Sequence, residues 1–212
     1  MITIIDYKAG NLTSVQLAFE SIGQKVKITD NPEDILLADK IVFPGVGAAK
    51  AAMDSLQELK LIEPIRKVIA DGVPFLGICI GMQVLFESSE EDGGTKCLSI
   101  LQGKVKKFKP TDKSCKIPQI GWNTVKINKS HPIFEGIEDQ SEFYFVHSFY
   151  PSCNDKNDII GQTEYADAVF SSVAGNKFLV AVQFHPERSG RIGLKLLENF
   201  CKWNDNSHRG NN

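Results

Sequence analysis

No run of apolar residues in the 212-residue sequence approaches the ~18 that a membrane-spanning helix needs. No CxxC pair occurs either. The five cysteines, Cys79, Cys97, Cys115, Cys153 and Cys201, are odd in number and widely spaced. That usage suits neither a disulfide framework nor a zinc site, so no metal and no other cofactor is expected. Free thiols point to a reducing compartment, the cytoplasm. Neither sign of charge is in excess: 24 Lys and Arg stand against 26 Asp and Glu, a net charge of −2. A chain with that balance lacks the basic surplus of a protein that lives on nucleic acid or an anionic membrane. Met1 to Asp6 is apolar but carries no basic leader and no cleavage site, so it reads as a first strand and not as a signal peptide. Repeats and low-complexity linkers are also missing.

What is present is ordinary globular composition, 42% apolar and 24% charged. A domain of this length buries roughly 70% of the surface its unfolded chain exposes, enough for a self-sufficient core. One domain is expected over residues 1–203. Residues 204–212 lack apolar anchors and read as a frayed tail.

The first two-thirds alternates strand and helix. Ile2 to Ile5 is an apolar strand, and Leu12, Val15, Phe19 and Ile22 then recur at helical spacing. Strands follow at 25–29 and 40–43, and one helix is expected over 48–70 with Pro64 as a candidate break. Val73 to Ile78 is nearly all apolar, as in a parallel strand buried on both faces. A helix is expected from Met82. The later third reads as strands at 103–108, 123–127, 143–150, 168–172 and 178–184, closed by a helix over 192–203. The pattern implies an α/β fold: a mixed, mostly parallel sheet flanked by helices.

Phe75 to Gln83 is the most informative stretch. A buried strand runs directly into Gly77-Ile78-Cys79-Ile80-Gly81, and a helix follows. This is the layout of a nucleophile elbow with cysteine in place of serine. The start of a helix favours a thiolate, and the N–H of Ile80 is placed to help bind an oxyanion. The competing reading is a buried structural cysteine in a glycine turn.

A thiolate needs a partner acid or base, and that group an orienter. His185 ends the strand 178–184 inside Gln183-Phe184-His185-Pro186-Glu187. If the chain stays extended through Pro186, the side chains of His185 and Glu187 point the same way and the carboxylate can fix the imidazole. The alternative is a surface turn. His147 reads as a core histidine inside a strand, and His131, before a proline, as exposed. Pro44-Gly45-Val46-Gly47 closes another strand, where backbone N–H groups can point into a pocket; alone it is equally an ordinary tight turn.

In this order and spacing, Pro44-Gly45-Val46-Gly47, Gly77 to Gln83 and His185-Pro186-Glu187 resemble the class I (triad) glutamine amidotransferases, whose fold is flavodoxin-like. Ile5-Asp6-Tyr7, Gly10-Asn11-Leu12, Pro118 to Asn123 and Phe143 to Ser148 are similar to the glutaminase subunits of imidazole glycerol phosphate synthases. The resemblance spans essentially residues 1–203. It implies Cys79 as nucleophile, His185 as proton donor to ammonia and Glu187 as its orienter. Gly45, Val46 and Ile80 would form the oxyanion hole. Gln83 and Glu91 would hold the two ends of L-glutamine's backbone, with Ser148 and Phe149 along the pocket. It further implies a (β/α)8 cyclase/synthase subunit as heterodimeric partner, with Asn11, Trp122, Asn123, Tyr144 and Arg188 at the interface. Gln119, where this subfamily commonly has histidine, would abut that surface. Two other readings stay open: an amidotransferase feeding a related synthase in surface-sugar biosynthesis, and a freestanding cysteine hydrolase.

Overall fold

The structure, a computed structural model, describes residues 1–8 and 10–203. The tail expected at 204–212 lies outside the described residues. In chain order the elements are β1 (Ile2–Ile5), α1 (Leu12–Ser21), β2 (Val26–Thr29), α2 (Pro32–Leu36), β3 (Ile41–Phe43), α3 (Ala49–Glu58), α4 (Ile62–Ala70), β4 (Phe75–Ile78) and α5 (Ile80–Gln83). There follow β5 (Ser88–Ser89), β6 (Thr95–Lys96), β7 (Gly103–Lys107), β8 (Gln119–Ile127), β9 (Ser141–His147), β10 (Phe149–Cys153), β11 (Ile159–Tyr165), β12 (Ala168–Gly175), β13 (Leu179–Val182) and α6 (Gly190–Lys202).

The expected mixed sheet is present, with nine strands in the order β2-β1-β3-β4-β13-β12-β11-β8-β9. Parallel pairing runs through the five neighbours β2, β1, β3, β4 and β13. From β13 onward every pairing is antiparallel. A second sheet, β10-β7-β5-β6, stands beside it. Every residue of β1, β3, β4 and β13 is buried, which explains their near-continuous apolar sequences. Helix α1 packs against α6, and α2 against α4. The chain steps from β1 out to β2, then back across to β3, so the strand order reverses beside β1 and β3. In such sheets a crevice opens at the carboxyl ends of the strands.

The structure corrects several expectations. The single helix expected over 48–70 is two helices. Lys60, at φ 58°, ends α3, and Pro64 sits in the first turn of α4, where its missing N–H costs no helical bond. The helix expected from Met82 is the four-residue α5, ending at Gln83. The strand expected over 143–150 is divided at Ser148 into β9 of the large sheet and β10 of the small one. Helix α2 and strand β11 went unread. α2 is one short turn and a half, and β11 (IIGQTEY) contains a glycine and mixes polar with apolar residues.

Candidate active site

Four neighbouring parallel strands, β1, β3, β4 and β13, end at one place. Beyond them the chain supplies Tyr7, Gly45, Cys79, and Gln183 with His185, respectively.

Cys79 joins β4 to α5 at φ 55°, ψ −109°, a conformation that costs a non-glycine residue about 1–3 kcal/mol. Its surroundings hold it there. The Cys79 N–H donates to Val182 O at 2.8 Å, and its carbonyl accepts from the N–H groups of Met82 and Gln83, both at 3.0 Å. The turn is also glycine-dependent: a Cβ on Gly81 would lie 1.7 Å from the Phe43 carbonyl oxygen. Cys79 is buried at 5% exposure, with its thiol free.

His185 and Glu187 meet although the chain does not stay extended. Pro186–Arg188 is a 3-10 turn, and His185 Nδ1 lies 2.8 Å from Glu187 Oε1. The two side chains are almost fully buried. Asn11 Nδ2 donates to the same Glu187 oxygen at 3.0 Å, so Asn11, expected at a partner surface, also braces the carboxylate. The His185 N–H donates to Tyr144 O at 2.9 Å, and Ser189 Oγ donates to His185 O at 2.6 Å. His185 Nε2 makes no aligned hydrogen bond, yet Cys79 is near enough to act on it. Burial pushes the imidazole pKa down. The negative sulfur of Cys79, a hydrogen bond to it and the Glu187 carboxylate together outweigh that and raise it to about 10. A thiol beside an imidazole held by a carboxylate is the constellation for covalent acyl transfer.

Gly45 passes close to the side chains below it. A Cβ there would lie 1.6 Å from Tyr7 Oη and 3.3 Å from Ile80 Cβ. Gly45 and Ile80 are therefore adjacent, and Val46, 37% exposed, borders them at the surface. Tyr7, buried with its hydroxyl unpartnered, was not read from the sequence as a site residue. Burial, then the charge of Cys79, raise its pKa far above the ordinary phenol value. A polar residue just past the carboxyl end of a buried strand was the available signal.

Gln83 and Phe149 are in contact: Gln83 Nε2 donates to Phe149 O at 3.0 Å. It is the Phe149 backbone and not its ring that makes this contact. The same carbonyl lies 2.7 Å from His147 Nδ1. His147 is the core histidine expected, packed against Phe108, Phe145 and Phe170, and burial pushes its pKa down to about 4. His131, expected exposed, is instead half-buried: its Nδ1 accepts from Ile133 N–H and its ring meets Trp203. Gln183, also missed, is fully buried; it accepts from Gln83 Nε2 at 2.9 Å and its Nε2 stands 3.7 Å from Cys79 Sγ. Its position two residues before His185, in the stretch expected as strand over 178–184, was the signal, since alternate residues of a strand face the same way. Ser148 is half-buried at the β9–β10 junction. Glu91 lies apart from these contacts, accepting from Ala49 N–H at the start of α3 at 2.7 Å.

Of the expected interface residues, Trp122, Tyr144 and Arg188 cluster where β8, β9 and the turn after His185 meet. Trp122 is 54% exposed and meets Tyr144 edge-on at 6.2 Å, and the Arg188 guanidinium lies 5.1 Å above the Tyr144 ring. Asn123 Nδ2 is engaged with Glu164 O. Gln119 departs from expectation: it is buried, opposite His147 in the β8–β9 register, with Oε1 unpartnered.

A mixed α/β sheet carrying a cysteine elbow and a histidine–carboxylate pair at its strand ends defines a class, and the chain belongs to it: the class-I glutamine amidotransferase family, whose model matches residues 3–203. Among curated relatives, imidazole glycerol phosphate synthase subunit HisH of Methanocaldococcus jannaschii is 54% identical over 95% of this chain and 99% of its own length. The subunit of the same name from Dehalococcoides mccartyi is 49% identical over 95% and 97%. Solved structures share the fold at lower identity. PurLQS from Thermotoga maritima matches with a TM-score of 0.72 at 17% identity, over 95% of this chain and 97% of that one. The glutaminase domain of Trypanosoma brucei CTPS, with bound acivicin, matches with a TM-score of 0.66 at 16% identity, over 96% and 94%.

Proposed function

We propose that this chain is the glutaminase subunit of an imidazole glycerol phosphate synthase. It hydrolyses L-glutamine to glutamate and ammonia, and passes the ammonia to a (β/α)8 synthase subunit that makes imidazole glycerol phosphate and aminoimidazole carboxamide ribotide in histidine biosynthesis. The observation that carries the reading is the Cys79–His185–Glu187 arrangement in a chain that matches relatives of that name nearly end to end. The names of those relatives favour it over the surface-sugar alternative.

In this reading Cys79 Sγ, as thiolate, attacks the side-chain amide carbon of glutamine. The carbonyl oxygen becomes an oxyanion, bound by the N–H of Ile80 and an N–H from Gly45 or Val46. The C–N bond breaks as the His185 imidazolium gives its proton to the departing nitrogen, and ammonia leaves. Water, giving a proton to His185, attacks the γ-glutamyl thioester; glutamate departs and the thiolate returns. Glu187 keeps the ring oriented throughout. The raised pKa of His185 supports an imidazolium ready to give that proton. Glu91 takes one end of the glutamine backbone, and Ser148 lines the pocket. Because Gln83 Nε2 is occupied by two acceptors, its free Oε1 suits a donor group of the substrate and not a carboxylate.

The exposed Trp122, Tyr144 and Arg188 strip, with Asn123 and Asn11 beside it, is the surface offered to the synthase. No helix among the described residues is long and apolar enough to cross a membrane; with its free thiols the chain is assigned to the cytoplasm. The test is reconstitution. Mixed with the synthase subunit of the histidine pathway, the chain should support glutamine-dependent formation of imidazole glycerol phosphate. Support only for a sugar-amidinating synthase would move it to the alternative, and hydrolysis unaffected by either would return it to the freestanding hydrolases.

A further inference from the structure

The chain of side-chain amides beneath Cys79 has only one consistent direction. The Phe149 carbonyl can only accept, so the group of Gln83 that meets it, at 3.0 Å, is the amide nitrogen. That same nitrogen lies 2.9 Å from the Gln183 amide, which must therefore turn its oxygen toward Gln83. The Gln183 nitrogen is then left facing Cys79 Sγ, at 3.7 Å. Reversing Gln83 would set oxygen against oxygen at Phe149, and reversing Gln183 would set nitrogen against nitrogen at Gln83. A backbone carbonyl in β10 thus fixes, through two buried side chains, a donor aimed at the sulfur in the large sheet.

The backbone holds this relay in register. The Gln183 N–H donates to Ser172 O at 2.9 Å, and the preceding residue, Val182, accepts from the Cys79 N–H. Gln183 is fully buried and Gln83 nearly so, so neither amide trades its partners for water. The one atom of the pair left without a partner is Gln83 Oε1.

We propose that Gln183 is a positioning residue of the glutaminase site: its amide nitrogen donates to the Cys79 sulfur, while its amide oxygen holds Gln83 with Oε1 open to a donor group of the substrate. This rests on the reading of Cys79 as nucleophile and adds to His185 a second polar partner for its sulfur. A donor to sulfur stabilises the thiolate over the thiol. The two roles separate by substitution. Gln183→Met keeps the volume and removes both. Gln183→Glu keeps an oxygen for Gln83 Nε2 but replaces the donor to sulfur with a negative charge.

The experiment follows alkylation of the Cys79-containing peptide by iodoacetamide across pH, by mass spectrometry, together with KM and kcat for glutamine in the complex with the synthase. With Gln183→Met, the pH midpoint of alkylation should rise by about one unit, a tenfold smaller thiolate-to-thiol ratio at any given pH, and KM should rise severalfold. With Gln183→Glu, the midpoint should rise further while KM stays near that of the wild type. A Gln183→Met protein with a lower melting temperature but an unchanged midpoint would overturn the inference, and so would an unchanged KM. Retained glutamine hydrolysis in Cys79→Ala would instead overturn the underlying reading, whatever the Gln183 variants do.

Discussion

The parallel strands β1, β3, β4 and β13 and the antiparallel strands β8 and β9 belong to one sheet but present themselves differently. In the parallel group every residue is buried, and polar chemistry is confined to the residues just past the carboxyl ends. Along β8 and β9 burial alternates, so Trp122 and Ile120 stand 54% and 64% exposed while Val125, Phe143 and Phe145 pack inward. One region makes a fixed floor for a strained nucleophile; the other makes a surface that another molecule can cover. They are joined at His185, whose N–H is held by the carbonyl of Tyr144 in β9. A partner that grips the Tyr144 strip thereby touches the strand that seats the imidazole.

The sharpest way to break the parallel region is Gly81→Ala. The added Cβ would sit 1.7 Å from the Phe43 carbonyl oxygen, a backbone atom that cannot swing aside as a flexible side chain would. We expect a loss of more than about 3 kcal/mol and little folded protein, read by circular dichroism and thermal melting. Gly45→Ala meets the removable Tyr7 hydroxyl instead, so adding Tyr7→Phe should recover part of the lost stability.

Next in size is Glu187→Gln. The fold should persist, and glutamine turnover should fall about a hundredfold because the ring loses its carboxylate while the nucleophile remains. A loss as large as that of a nucleophile variant would make Glu187 a structural residue.

A third effect concerns protons. The His185 pKa is raised from 6.5 to about 10, so the protonated ring favours the folded state. Its contribution is complete below about 6.5 and is lost as pH climbs through about 10. An NMR titration of the His185 ring should give a midpoint well above the ordinary histidine range. In Cys79→Ala that midpoint should fall, because the sulfur's charge and hydrogen bond are gone while burial remains. An unchanged midpoint would show that Glu187 alone sets it.

The smallest effect on the chain itself is expected from Trp122→Ala. An exposed ring with one edge-on neighbour should change stability by less than about 1 kcal/mol. Association with the synthase, measured by calorimetry, should nonetheless weaken by tenfold or more. If the melting temperature drops steeply, the ring belongs to the core of the antiparallel region and the comparison fails.

The same division governs what could be read in the sequence. The parallel region was legible because buried strands write themselves as apolar runs, and because a cysteine between glycines at a strand end and a histidine at the next have few structural uses. The pairing of His185 with Glu187 was read correctly on a wrong premise: a 3-10 turn, not an extended chain, brings them together. The antiparallel region was less legible. β11 went unread, and the break at Ser148 depends on a sheet exchange that no local pattern announces. Gln119 was placed on the surface, whereas the alternation that exposes Ile120 and Trp122 turns it inward. Gln183 and Tyr7 were overlooked because an amide and a phenol carry no chemistry of their own; their meaning comes from the sulfur beside them.

The most direct test is the reconstituted pair carrying Cys79→Ala, driven by glutamine and, separately, by ammonium salt. The account predicts that glutamine-driven synthesis falls about a thousandfold or more, while ammonia-driven synthesis continues at the wild-type rate. Glutamine-driven synthesis that survives the substitution would contradict it.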